Sequence, residues 1–449
     1  MSNFKLKNKA FKIAFEISPL MTASGTFGDK SGVYRYTYGL ISSLSSFLKK
    51  KDKNATIFLF TFNYDLLKQP LNPELYSLLK NKNVIYLNKL PNINQENMIY
   101  NDLFDFPPLR IILKLADKIF NIKSFYKQII NRFRFNNYLK ILDKEFKKNS
   151  IKTIVHSETS FYPLNNYRNI ITIYDLTAFI VPEFHRNETI DLQTRKLKFA
   201  RKYCQDIICI SQSTKRDLLK YSPEFKNKNI IIAYPGIDDS FKSNKETKKS
   251  TLIQTTNIVS NRRITLIPNK YLLYYGTFEP RKNLSYLVKG FLELLETKKI
   301  PENYKLLMIG GKGWGNIRNR IIEYLRENYP NDEKSPIIIV NYINDKYLKK
   351  IIKNAYALVY PSFYEGFGLP VLESMYLGTP VITSANSSLT EVGGSAPLYV
   401  DPNNFLDIKN KISYLIKNKT IASTMAKDGI VQSQKFSWEK TAKKLYDFI

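Results

Sequence analysis

The sequence predicts a doubly wound α/β protein with parallel sheets, arranged as two similar halves. Three observations carry that prediction. Short apolar runs of strand type alternate with helical stretches, at Phe11–Ser18, Ala55–Phe62, Asn83–Leu87, Lys152–His156, Asn169–Tyr174, Gln205–Ile210 and Asn229–Tyr234, and again from Tyr271 onward. Strands separated by helices imply a parallel sheet wound on both faces. Several of these runs open into glycine-bearing turns, and in such folds ligands bind beyond the carboxyl ends of the strands. Finally, a polar stretch at Phe241–Asn269 divides the pattern, and 449 residues suffice for two cores.

Bulk properties narrow the classes. Apolar residues make up 43% and charged residues 24%, a globular balance. No uncharged apolar run approaches the ~20 residues of a membrane-spanning helix. Lys12 and Glu16 interrupt Phe11–Ile17, so this segment reads as a first strand and not as a signal peptide, and a cytoplasmic protein is expected. Cys204 and Cys209 are too few for a disulfide framework or a zinc cluster. The net charge of +30 attracts polyanions, whether nucleic acid, an anionic membrane surface or phosphorylated substrates, although a lysine-rich composition accounts for part of it.

In chain order, the first strand is followed by a turn-rich loop, Ser24–Thr37, with a helix from Val33 through Leu48. Between Arg110 and Arg134 there are seven basic residues against one acid, Asp117. Arg110, Lys114 and Lys118 share one helical face, so this basic insertion (about 104–148) is either a membrane-docking helix or an ordinary helix with a solvated basic side. Asp175 stands at the C-terminal tip of a buried strand and opens onto the crevice of such a fold. His156 also closes a strand; it faces an acceptor or is a satisfied structural histidine. Ser211 or Ser213 caps the helix after Cys209. In the second half Tyr271–Tyr275 runs into Gly276, and Arg281 and Lys282 stand at the start of the next helix. An arginine and a lysine in one cleft suit a diphosphate, one as a bidentate fork and the other as a point charge. Tyr347–Ala357 reads as a helix, and two more helices follow Pro402, the last capped by Ser437.

The strongest stretch is Pro361–Val381, P-S-F-Y-E-G-F-G-L-P-V-L-E-S-M-Y-L-G-T-P-V. It reads as a turn between two strands that opens a helix, with Pro370 at the first helical position and Gly378 at the stop. Backbone amides at such a terminus bind anions or hydroxyls. Glu365 precedes the turn and Glu373 lies in the first turn of the helix, so both can face one pocket and accept bonds from a polyhydroxylated ligand. The alternative is a surface Glu365 and a Glu373 that only offsets the helix dipole.

E-G-F-G-L-P-x-L-E followed by S-M-x-x-G-x-P-V-I resembles the E-x7-E signature of retaining, nucleotide-sugar-dependent GT-B glycosyltransferases of the family-4 type (glycosyl transferases group 1). The resemblance is strong from Tyr271 to Pro402 and looser before. It implies two doubly wound Rossmann-like domains facing a cleft: an acceptor-side domain at 1–240, a linker at 241–269, a nucleotide-sugar domain at 270–430, and a final helix at 431–449 that crosses back. It implies catalytic roles for Glu365, Arg281, Lys282 and Asp175. Donor contacts fall to Gly32, Gly276, Glu373, Gly366, Phe367, Gly368 and Leu369, and acceptor-side contacts to Val33, Arg35, His156 and Tyr174. Tyr174 replaces a histidine common in that family. The reaction implied is transfer of a hexosyl group to an acceptor hydroxyl with retention, in cell-envelope polysaccharide or lipid-linked glycan synthesis. The donor would be GDP- or UDP-linked, and the G-V-Y-R-Y-T loop leans toward mannosyl. No cofactor or metal is expected, and no D-x-D occurs. A lipid-linked acceptor and the basic segment together suggest a peripheral position on the inner face of the cytoplasmic membrane. A nucleic-acid-binding protein is the rival from another class, but no nucleic-acid module is recognisable. An inactive scaffold homologue is a further alternative, opposed by the intact acidic and basic residues.

Overall fold

The structure is a computed structural model that describes residues 10–22, 32–88, 122–242, 253–330, 335–341, 343 and 345–449. The chain divides into two compact units, Met1–Thr26 with Leu48–Ile171 and Phe27–Phe47 with Thr172–Ile449. The basic residues 110–118 lie outside the described residues.

In the first unit, β1 (Lys12–Glu16), β2 (Thr56–Phe60), β3 (Val84–Tyr86), β4 (Thr153–His156) and the start of β5 (Arg168–Ile173) pair in parallel in the order β3-β2-β1-β4-β5. The register sets Ile13 beside Ile57 and Thr153 beside Arg168. Strands covered on both faces need side chains that are apolar on both, and K-I-A-F-E and T-I-F-L-F supply them. Phe58, Phe60 and Phe62 pack with Tyr138 and Phe146 of the helix Ile122–Lys148. Each such aromatic contributes about 1.5–3 kcal/mol by leaving water. Tyr138 donates its hydroxyl hydrogen bond to Thr61 O at 2.7 Å, which registers the helix on the sheet.

In the second unit, β6 (Asp206–Cys209) pairs with β7 (Asn229–Ile232). A further sheet, with all its pairs parallel, runs β12-β11-β10-β13-β14-β15 among the described residues. Its strands are β10 (Tyr271–Tyr275), β11 (Lys305–Ile309), β12 (Ile337–Val340), β13 (Ala357–Tyr360), β14 (Val381–Ser384) and β15 (Leu398–Val400). The polar stretch before it holds an antiparallel hairpin, β8 (Ile253–Asn257) and β9 (Arg262–Leu266), tied to β12 through Ile258 N–H to Ile339 O at 2.9 Å. The last helix, Trp438–Phe448, is capped by Ser437, whose hydroxyl accepts from Glu439 N. Its Trp438 ring meets Tyr36 edge-on at 5.5 Å, and Thr441 donates to Tyr234 O at 2.5 Å.

Several local expectations need correction. The helix expected over 347–357 is Asp345–Asn354, because Ala357 already begins β13. Three helices follow Pro402, not two; Asn418 breaks what reads as one amphipathic run into Phe405–Lys417 and Lys419–Ser433. The helix after the glycine turn begins at Leu369, so Pro370 is its second residue and Glu373 its fifth, beyond the first turn. Among the described residues no helix is long and apolar enough to cross a membrane.

Candidate active site

Two strand ends build the basic part of the site. β10 delivers the chain into Gly276, and a single 3₁₀ turn, Pro280–Lys282, brings Arg281 and Lys282 against the loop that leaves β13. That loop is bonded to the turn: Phe363 N–H and Ser362 Oγ both donate to Arg281 O, at 2.8 and 3.0 Å. The side chains then converge on one carboxylate. Arg281 Nη1 is 2.9 Å from Glu365 Oε2, while its Nε is 2.9 Å from Glu279 Oε2. Lys282 Nζ pairs with Glu365 Oε1 and donates to Tyr360 Oη at 2.6 Å. Lys282 and Glu365 are each nearly closed to solvent.

Electrostatics follow from that geometry. Burial by itself raises the Glu365 carboxyl, but the Arg281 and Lys282 charges outweigh it and hold it down to about 2. Burial and the Arg281 charge push Lys282 below its usual range, partly offset by Glu365. Burial also opposes the Arg281 charge, yet Glu365 and Glu279 together raise its pKa well above normal. Glu365 and Arg281 are therefore charged throughout the neutral range.

The glycine turn completes a wall. Gly368 takes φ of 101° at the N-cap of the helix Leu369–Tyr376, a conformation that side-chain-bearing residues rarely adopt. At Gly366 the constraint is space, since a Cβ would sit 2.4 Å from Tyr174 O. Thr214 Oγ1 donates to Tyr174 O at 3.1 Å and lies 3.4 Å from Gly366 O, locking the approach. Asp175 Oδ1 accepts from Thr177 N at 3.0 Å and from Thr177 Oγ1 at 2.6 Å, which fixes its carboxyl at the strand tip.

The second carboxylate of the motif has different partners. Glu373 is 1% exposed. Arg35, from the first turn of the helix Gly32–Lys51, pairs with its Oε1, and Tyr275 donates to its Oε2 at 3.0 Å. Burial raises the Glu373 carboxyl, with Arg35 opposing. Arg35 also lies 5.9 Å from the Phe241 ring.

These groups surround a cavity of about 360 Å3. Gly32, Val33, Arg35, Tyr174, Asp175, Gly276, Arg281, Lys282, Glu365, Gly366, Phe367, Gly368 and Leu369, all singled out in the sequence, line it. Glu373 does not; it stands behind Arg35 and Tyr275. His156 does not either. It lies in the first unit, 1% exposed, stacked on Phe62 at 5.6 Å with Nε2 2.8 Å from Asn169 Oδ1, and burial lowers it to about 4. Sequence reasoning missed Tyr275, Tyr360 and Glu279. Both tyrosines end strands that open onto the cavity, and that position was the available signal. Glu279 precedes the basic pair by two residues and carries no pattern of its own.

Residues 259–432 match the family described as glycosyl transferases group 1. The chain is 29% identical over 292 residues to O-antigen chain mannosyltransferase B of Escherichia coli, covering 64% of this chain and 71% of that protein. It is 24% identical over 260 residues to the serotype-specific mannosyltransferase WbdA of Escherichia coli, covering 58% of this chain but only 29% of that longer protein. Among solved structures, sucrose-phosphate synthase from Thermosynechococcus elongatus superposes with a TM-score of 0.62 at 18% identity, covering 98% of each chain. Residues 259–432 are thus similar to the glycosyl transferases group 1 family, and the chain has the GT-B fold, with parallel sheets in two Rossmann-like domains.

Proposed function

We propose that this GT-B chain, with its glycosyl transferases group 1 segment, moves a hexosyl group, mannosyl first, from a nucleoside-diphosphate sugar to a hydroxyl of a glycan or lipid-linked acceptor. The reaction retains the anomeric configuration and serves the synthesis of a cell-envelope polysaccharide such as an O-antigen. The observation that carries this reading is the cluster of Arg281, Lys282 and Glu365 in the wall of the cavity, at the head of the helix Leu369–Tyr376. The named activities of the two mannosyltransferase relatives support the choice of sugar and product class.

The geometry gives each residue a task. Arg281 and Lys282 are preorganised cations, and they stabilise the diphosphate as negative charge develops on it. Glu365 stays a carboxylate and cannot serve as an acid; it steadies positive charge near the anomeric carbon. The amides of Gly366–Leu369 and the helix terminus hold sugar hydroxyls or phosphate. A diphosphate oxygen on the departing face takes the acceptor proton, so no protein base is required. Glu373 serves the ribose diol only when Arg35 yields one of its oxygens; in the structure it holds Arg35 and Tyr275 in place. Asp175, bonded by Thr177, faces the acceptor side. Docking on an anionic membrane through residues 110–134 belongs to the same proposal. Neutralising those seven basic residues should abolish sedimentation with anionic vesicles.

The central test is a thermal-shift panel of GDP, UDP, ADP and dTDP on wild type and on Arg281→Ala/Lys282→Ala. A ligand at 100-fold its dissociation constant adds ~2.7 kcal/mol to stability. One diphosphate should shift the wild type and leave the variant unmoved. No shift with any of the four would sink the nucleotide-sugar reading.

A further inference from the structure

Four aromatic rings stand near the turn that carries Arg281, outside the residues that line the cavity. The Phe184 ring stacks on Phe363, with centroids 5.0 Å apart and planes within 17°. The His185 ring faces Trp314 at 6.1 Å. All four side chains are only half-buried. Two contacts fasten this group to the reaction centre. Phe363 N–H donates to Arg281 O at 2.8 Å. The backbone just after Trp314 lies directly on the turn, since a Cβ at Gly315 would sit 2.5 Å from Pro280 Cγ.

The polar surroundings are equally specific. The charged groups whose fields reach His185 are Asp175, Arg281, Glu279 and Glu183. Asp175, Arg281 and Glu279 line the cavity themselves. His185 Nε2 is closed to solvent and bonded to no group among the described residues, so a hydrogen bond remains to be made there.

We propose that this aromatic group, flanked by Asp175, Glu279 and Glu183, is the acceptor subsite, and that its ligand is a pyranose ring. A pyranose presents an apolar C–H face and a rim of hydroxyls. Aromatic side chains offer large, rigid apolar surfaces for the first. Carboxylates and an imidazole bond the second. A sugar lying on Trp314 and Phe184 would direct a hydroxyl toward Glu365 and Arg281, where the proposed transfer takes place. The inference rests on the transferase reading and names its acceptor as a sugar residue at the growing end of a glycan.

The chain holds two tryptophans, Trp314 and Trp438. Trp438 is 8% exposed. In a Trp438→Phe variant with its melting temperature checked, Trp314 alone reports. The experiment titrates that variant with mannobiose, maltose, cellobiose and lactose, with and without the diphosphate found by thermal shift. At least one disaccharide should give a saturable change in emission. His185→Ala or Phe184→Ala should weaken it at least tenfold while leaving the diphosphate shift unchanged. Absence of a saturable response to all four sugars overturns the proposal, as does a response to the diphosphate alone, which would make Trp314 a base-stacking residue. A sugar response in a protein that no diphosphate stabilises would leave the subsite standing and overturn the donor reading instead.

Discussion

The two glutamates of one short motif, Glu365 and Glu373, are eight residues apart and are shifted in opposite directions. Glu365 meets two cations, lines the cavity and is held down to about 2. Glu373 meets one cation and one phenol, is shut off behind them, and has its carboxyl raised by burial. A third buried acid, Glu16 at the end of β1, extends the series. Among the described residues its bonds come from neutral donors, Ser18, Ser157 and Phe62 N–H, and burial lifts it to about 7. Burial is common to all three. The cations within bonding distance set the direction: two hold Glu365 down, whereas one leaves Glu373 raised and none leaves Glu16 raised, as expected when desolvation and Coulomb attraction oppose each other. Spacing in the sequence therefore locates acids without assigning their charge or task.

The comparison can be broken most sharply at Glu365. Glu365→Gln keeps the volume but removes the charge that faces the donor in the proposed reaction. Transfer from the nucleotide sugar should slow by about 10²–10³, the usual loss when one preorganised electrostatic group is removed. A rate within threefold of wild type would show that Glu365 is only a structural partner of Lys282.

Arg35→Ala addresses the other glutamate. It leaves Glu373 buried without its cation, and breaking such a pair costs about 3 kcal/mol, at the low end of the buried range because Arg35 is 19% exposed. Glu373 can answer by taking up a proton. The loss measured in urea should therefore be larger at pH 8 than at pH 5, and equal losses at both would contradict the assignment.

Glu16 supplies the pH test of the series. Its folded value of about 7 lies above the ordinary 4.5, so the folded state holds this proton more tightly than the unfolded one. Stability should fall as pH rises from 4.5 through 7, by about 2 kcal/mol between pH 5 and 8. Glu365, with its value depressed, contributes in the opposite sense, losing stability as pH drops from 4.5 toward 2. Glu16→Gln should flatten the upper slope in pH-dependent melts; an unchanged slope would place its origin elsewhere. The smallest effect is expected for Tyr275→Phe, which removes one hydrogen bond to Glu373. About 1 kcal/mol should be lost at pH 8, with little change in the response to diphosphate.

Much of this could be read along the chain. Apolar runs such as Y-L-L-Y-Y and A-L-V-Y became β10 and β13 because strands covered on both faces tolerate no polar interior. Gly366, Gly368 and Gly378 marked a tight turn, a helix start and a helix stop, since close approach and left-handed backbone are local demands. Arg281, Lys282 and Glu365 stood out through residue type and a family resemblance. What the chain did not disclose lies in contacts between distant positions. Arg35 is 338 residues from Glu373 and Tyr275 is 98 from it. His185 meets Trp314 and Phe184 meets Phe363 across similar gaps. Local pattern sets where strands end and which residues they present, because those depend on neighbours in sequence. Which cation reaches which carboxylate, and so which acid is held below its ordinary value, depends on how separate elements pack, and only the tertiary structure decides that.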